Sequence, residues 1–389
     1  MMKKLTRPVW AEIDLDRLIY NYKEIRKLLK KETELMAIVK ADAYEHGAIQ
    51  IVKTLAKEGV RRYGVAHLSE ALHIRKYVED VDILIMGYTP EYLAEKAIKN
   101  NITLTVYTYD QAKFFSEVAM ATNNKVKLHI KIETGMNRLG FMPNSENIKI
   151  IKDIFNMKNV EVEGIFTHFP AADDDREYTL KQVEKFNHVC KGLQELNIDI
   201  PLKHVCNSAA IMNFPELNYN MVRAGIILYG VYPYPEADRE VLKLKNILTI
   251  KAQISYVKEV DKGEKLSYGL TYETKKKSEI ATVPIGYADG FSRLLSNKGS
   301  CIVKNTIVPI VGRLCMDQCM VDVTGLDVNR GDEVVLMGSK GKKEITIEEI
   351  ANKIGNIPAA VLCMLNKRIP RVYVKDNEIY NVTDYLLDL

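Results

Sequence analysis

The sequence predicts an α/β protein, a (β/α)8 TIM-type barrel followed by a mostly antiparallel β domain. Eight β-branched apolar runs alternate with stretches of helical period over roughly the first 230 residues, the rhythm of a parallel barrel. Past Pro233 and Pro235 the pattern changes to alternating runs divided by Gly, Asn and Asp turns. A chain of 389 residues also exceeds one average domain. The barrel is expected over 8–236 and the β domain over 237–389, with the first few residues candidates to pair with the latter.

The barrel strands are expected at 34–39, 62–67, 81–87, 102–107, 125–132, 160–167, 201–206 and 221–229. Between them, 48–57 sets Ile49, Val52, Leu55 and Ala56 on one helical face. Ser69 before Glu70 is an expected N-cap, Asp110 plays that part for 111–120, and 176–196 is a long helix. In the second domain the strand candidates are 248–260, 279–285, 301–310, 320–323 and 333–337. Turns at 261–263, 297–299 and 304–305 divide them. One helix, 346–354, interrupts them, capped by Thr346 with Glu348 and Glu349 in its first turn. A doubly wound open sheet is the main competitor for the first domain. It needs fewer strands, and neither G-x-G-x-x-G nor G-x-x-x-x-G-K occurs.

Composition narrows the function classes. Hydrophobic residues make up 47% and charged residues 27%, an ordinary globular balance. The net charge of +4 is spread out, and the run 275–277 of three lysines is too short for a nucleic-acid footprint. No segment nears the ~20 apolar residues of a membrane span, and no signal-peptide apolar region follows Lys3-Lys4. Six irregularly spaced cysteines are no disulfide framework, so a cytoplasmic protein is expected. Cys315 and Cys319 lack a second pair at zinc spacing, so no metal is expected.

Chemistry in such barrels gathers at the carboxyl ends of the strands. Lys40 stands there after the first strand, and the fifth carries Lys131 and Glu133 and leads into Arg138. His168 follows the sixth, Asn207-Ser208 the seventh, and Arg223 with Gly225-Ile226 lies in the eighth. Each has an ordinary reading when taken singly. Lys40 could snorkel, His168 and Arg223 could be structural, and Ser208 could be a helix N-cap. Together they are costly to bury, and one site served by all explains them. A strand-end lysine suits imine chemistry, with a carbonyl substrate or pyridoxal phosphate as partner. Ser208 and the N–H groups of Gly225 and Ile226 supply phosphate donors where barrels commonly hold phosphate. A Schiff-base aldolase would use similar residues, although its lysine usually stands on a later strand and no second β domain is expected.

In the motifs 39–47, 129–140, 166–169, 207–210, 222–230, 266–272, 284–290 and 312–323 the chain resembles the alanine racemase family. The resemblance implies pyridoxal phosphate as cofactor, with Lys40 as its lysine and one catalytic base. Tyr268, reaching in from the other subunit of a homodimer, is the second base. Tyr44, Ser208, Gly225 and Ile226 match phosphate ligands. Arg223 matches the arginine facing the pyridine nitrogen, with His168 behind it. Arg138 matches the arginine near the phenolic oxygen, and Lys131 a carbamylated lysine bonded to that arginine. Met316 and Tyr287 match partner-subunit residues around the substrate carboxylate and entry channel, and Asp317 is family-like in position. The implied reaction interconverts L- and D-alanine, a small amino acid, for peptidoglycan. Racemisation asks for proton sites on both faces of Cα.

Three positions depart from the family pattern. Glu45 replaces a usual glycine, and an acid beside phosphate is unfavourable unless it turns to solvent. Lys367 replaces the tyrosine of the best-known members. It would keep a point-charge contact with phosphate and bears on substrate size. A broader racemase, for lysine, serine or arginine, is therefore the alternative. Glu133 replaces a common aspartate. A non-catalytic cofactor-binding barrel would lack the β domain. A decarboxylase of related fold would carry a cysteine-bearing motif and a Gly-rich phosphate loop that are absent here.

Overall fold

The computed structural model describes residues 5–387. Its eight parallel barrel strands are Glu34–Ile38, Arg62–Val65, Asp82–Ile85, Ile102–Val106, Val126–Lys131, Val160–Phe166, Leu202–His204 and Met221–Ala224. The first seven pair in chain order, and the eighth pairs with the first, with Leu35 opposite Val222 and Met36 opposite Arg223. Between the seventh and eighth, Arg223 N donates to Cys206 O at 3.0 Å. Parallel barrel strands are covered on both faces, so they read as continuous apolar runs, and Ile102–Val106 is buried at every residue.

The eighth strand is shorter than the sequence predicts. It stops before Gly225, and Ile226–Tyr229 is a 3-10 turn closed by left-handed Gly230. The helix Ala48–Lys57 buries Ile51, Val52 and Leu55, a face rotated away from Ile49 and Ala56. Two caps differ as well. His67 is the N-cap of Leu68–Tyr77, and Ser69 Oγ bonds its imidazole at 2.9 Å. Thr108 caps Tyr109–Ala121 through Gln111 N, which leaves Asp110 in the first turn to meet the helix dipole. Asp175 caps the long helix Arg176–Glu195.

The chain divides into two units. The barrel unit is Ile19–Ala43 with Ala48–Leu244; the β unit takes residues up to Leu18, Tyr44–Gly47 and the chain from Lys245 on. In the β unit, Val9–Asp14 lies antiparallel to Leu248–Gln253 and parallel to Arg371–Lys375. The sheet extends through Glu333–Lys340, Ser300–Val303 and Thr306–Pro309 on one side and Glu378–Thr383 on the other. A second sheet holds Tyr256–Val260, Ser278–Val283 and Cys319–Asp322. The expected run 248–260 is thus two strands in two sheets. The switch falls where Ile254 N donates to Asp332 O and Ser255 N to Thr282 O. Lys304 and Asn305 both have positive φ, which suits the twist of a tight hairpin. Thr346 caps Ile347–Ile354 through Glu349 N, and a second helix, Pro358–Cys363, follows with proline in its first turn. Among the described residues no helix is long and apolar enough to cross a membrane.

Candidate active site

Lys40 follows the first barrel strand and its side chain is exposed. It opens an unusual turn, Lys40–Glu45, in which five successive non-glycine residues, Ala41 to Glu45, have φ between 51° and 64°. Left-handed residues with a Cβ cost about 1–2 kcal/mol each, so the turn must be held from outside. Glu70 accepts from Ala41 N at 2.7 Å and from Ala66 N at 2.8 Å, tying the first rim loop to the second. Asp42 Oδ1 accepts from Ala48 N at 2.7 Å. At the far end, inside the β unit, Arg371 grips Glu45. Its Nε donates to Glu45 O and its Nη2 to Glu45 Oε2, at 3.1 and 3.0 Å. The Glu45 carboxylate therefore faces a fully buried guanidinium rather than solvent. Burial pushes the neighbouring Tyr44 phenol up to about 12.

Five rim residues come together in the barrel unit. After burial itself, Arg223, Arg138, Lys131 and Lys40 all act to hold the His168 imidazole well below its usual range. Lys131 is buried, and its Nζ donates to Ile132 O at 2.8 Å. Burial lowers its ammonium to about 8, helped by Arg223 and Arg138 and opposed by Glu133. Glu133 does not form an ion pair with it. Burial favours the neutral acid, but backbone N–H groups of Asn137, Gly135 and Arg138 hold the carboxyl below its ordinary value. Arg138 is exposed.

Arg223 is buried and hydrogen-bonded through both terminal nitrogens. Its Nη1 donates to His204 Nδ1 and His204 O, both at 2.9 Å. Its Nη2 donates to Thr167 O at 2.8 Å, Val205 O at 2.9 Å and His168 Nδ1 at 3.3 Å. Every partner is a neutral acceptor, and among the described residues none takes Nε. Burial lowers its guanidinium to about 10.

Near it, the helix Ser208–Asn213 is capped by Asn207, whose Oδ1 accepts from Ala210 N at 3.0 Å, so the N-cap is not Ser208. Ser208 Oγ accepts from Gly225 N at 3.1 Å. Gly225 and Ile226 lie beyond the eighth strand rather than in it.

The β unit gathers the other predicted residues on its loops. Tyr268, in the turn Tyr268–Leu270, is 71% exposed. Ser267 Oγ before it donates to Arg313 O at 2.6 Å. Tyr287 N donates to Cys315 O and Ala288 N to Met316 O, which sets Tyr287 and Met316 side by side. The approach demands glycine at 286, where a Cβ would stand 2.3 Å from both carbonyl oxygens. Both side chains are exposed. Asp317 accepts from Arg368 Nη2 at 2.8 Å, and Lys367 Nζ lies 5.3 Å from the Tyr385 ring centre.

Two buried histidines, His129 and His204, escaped the sequence reading, and both touch this network. A usable signal existed for His129. It stands two residues before Lys131 on one strand, so both side chains share a face.

Family models agree with this architecture. The alanine racemase N-terminal domain matches 13–233 and the alanine racemase C-terminal domain 247–373. An alanine racemase of Clostridium tetani is 47% identical over 99% of this chain and all of its own. The structure of the Bacillus anthracis alanine racemase with bound L-Ala-P superposes with a TM-score of 0.93, at 33% identity over 99% of this chain and 100% of that one. A Bartonella henselae alanine racemase with covalently bound pyridoxal phosphate gives 0.83, at 30% identity over 94% and 99%. The chain is an isomerase that belongs to the alanine racemase family.

Proposed function

We propose that the chain is a pyridoxal phosphate-dependent racemase that interconverts L- and D-alanine, as a cytoplasmic homodimer with composite sites, for peptidoglycan. The observation that carries the cofactor reading is Arg223. Its two Nη atoms are committed to neutral acceptors while Nε is uncommitted, as a ring-nitrogen acceptor requires. The other donors fit the same group. Lys40 would hold it covalently, Tyr44, Ser208, Gly225 and Ile226 would hold its phosphate, and Arg138 would face its phenolic oxygen. The bound cofactor supplies the electron withdrawal that makes the amino acid Cα–H acidic.

Lys40 takes the Cα proton from one face while Tyr268 of the partner subunit delivers a proton to the opposite face, and for the other enantiomer the two exchange roles. The exposure of Tyr268 leaves its hydroxyl available to a neighbouring copy. Arg223, always a donor, holds the ring nitrogen without passing it a proton, which favours racemisation over transamination. Lys131, carbamylated, becomes an anion that orients Arg138. Met316 and Tyr287 of the partner subunit border the substrate carboxylate and the entry. Six free thiols support a reducing compartment.

The test is racemisation of L-alanine by purified protein with pyridoxal phosphate, beside serine, lysine and arginine, followed by borohydride and peptide mapping. Alanine should turn over fastest, and the reduced cofactor should lie on Lys40. No alanine turnover, or label on another lysine, contradicts the reading.

A further inference from the structure

Behind Arg223 runs a line of buried polar groups that the proposed proton transfers do not use. His204 Nδ1 accepts from Arg223 Nη1 at 2.9 Å. His204 Nε2 lies 2.9 Å from His129 Nδ1, and His129 Nε2 lies 3.9 Å from Glu163 Oε2. His129 is 1% exposed and His204 0%. The barrel makes room for this line. A Cβ at Gly164 would stand 2.4 Å from the His129 ring, and the Phe166 ring stacks on His204 at 4.8 Å and 7°. Glu163 is itself anchored, accepting from Thr103 Oγ1 at 3.1 Å and pairing with Lys127 at 3.1 Å.

Hydrogen-bond polarity fixes where each proton sits. An arginine only donates, so His204 Nδ1 accepts. Burial, with Arg62 and Arg223, lowers His129 to about 3, and burial with Arg223 takes His204 well below its usual value, so both rings are neutral. A neutral imidazole carries one proton, and His204 therefore carries it on Nε2 and donates to His129 Nδ1. His129 in turn carries its proton on Nε2, facing the Glu163 carboxylate. The opposite tautomer of His204 would set N–H against N–H at Arg223.

We propose that His129 is a positioning residue for the cofactor site: by accepting from His204 Nε2 it pairs the proton that Arg223 forces there and locks the His204 ring in place, and that lock keeps the Arg223 fork turned so that Nε alone is left for the cofactor ring. This rests on the pyridoxal phosphate reading above, but the lock itself is a property of the protein without cofactor.

The experiment has two arms. In the cofactor-free protein, 15N-histidine NMR resolves the tautomers of the chain's seven histidines. His204 should be protonated on Nε2 and bare on Nδ1. In the second arm, pyridoxal phosphate is titrated into wild type, His129→Leu and His129→Asn. Leu removes the acceptor, while the Asn amide oxygen stands near the place of Nδ1. The Leu variant should keep the His204 proton on Nε2 but shift its 15N signal as that N–H loses its acceptor, with cofactor affinity weaker by roughly tenfold, the effect of one spoiled buried hydrogen bond. The Asn variant should restore both. A His204 proton on Nδ1 in wild type overturns the proposal, as does unchanged affinity in the Leu variant. Should the Leu variant fail to fold, wild-type NMR together with the Asn variant decides. Failure of wild type to bind pyridoxal phosphate would overturn the cofactor reading instead, and the cofactor-free spectra tell the two apart.

Discussion

At the scale of single residues, the site is governed by the burial of titratable groups around Arg223. His129, His168 and His204 are all held below their ordinary range, first by burial and then by Arg223 or its cationic neighbours. The unfolded chain protonates a histidine near pH 6.5, whereas folded His129 waits until about 3. Between those values the unfolded state holds more protons, so stability rises with pH. It is complete above about pH 7 and lost as pH falls through 6.5, by about 2 kcal/mol for His129 alone at pH 5. Urea unfolding at pH 7.5, 6.5 and 5 should show this loss, and His129→Asn should flatten the slope; an equal slope would contradict it. Burial lowers the Lys131 ammonium to about 8, which makes the neutral amine, the form able to add carbon dioxide, easier to reach than in an ordinary lysine. A carbamate signal should therefore appear with 13C-bicarbonate at pH 8, fade toward pH 6 as the amine protonates, and vanish in Lys131→Ala. A silent spectrum at pH 8 would mean an unmodified lysine.

At the scale of elements, the decisive device is the left-handed turn Lys40–Glu45. Its sequence, Lys-Ala-Asp-Ala-Tyr-Glu, contains no glycine, and nothing local asks for positive φ. The conformation is imposed by Glu70 and Asp42 at one end and Arg371 at the other. Glu45→Ala would leave the fully buried Arg371 without its carboxylate and should cost about 3 kcal/mol, read as a lower urea midpoint. Loss below about 1 kcal/mol would mean that the pair is no anchor. Such long-range partners are what the sequence hides. All eight barrel strands were legible, because each is a β-branched run bounded by polar turns. Val9–Asp14 was not called as a strand, since its partners begin at Leu248 and Arg371. The rim residues Lys40, Lys131, His168 and Arg223 could be named from their places at or near strand ends. His129 is marked in the sequence only by its place two residues before Lys131, and His204 by nothing, because its meaning comes from partners across the barrel.

At the scale of the whole molecule, the two units present different chemistry. The barrel unit carries Lys40 and the Arg223 network. The β unit carries Tyr268, Tyr287 and Met316 on exposed loops. Tyr268, proposed above as the second base, stands in the β unit rather than among the barrel-unit rim groups. In a two-fold dimer each β unit would complete the partner's barrel and make two identical sites. The most direct measurement mixes inactive Lys40→Ala with inactive Tyr268→Phe protein under conditions where subunits demonstrably exchange. Random exchange makes about half the dimers mixed, each with one of two sites intact, so alanine racemisation should return to about a quarter of wild type. If the subunits exchange and activity stays absent, Tyr268 does not act across the interface.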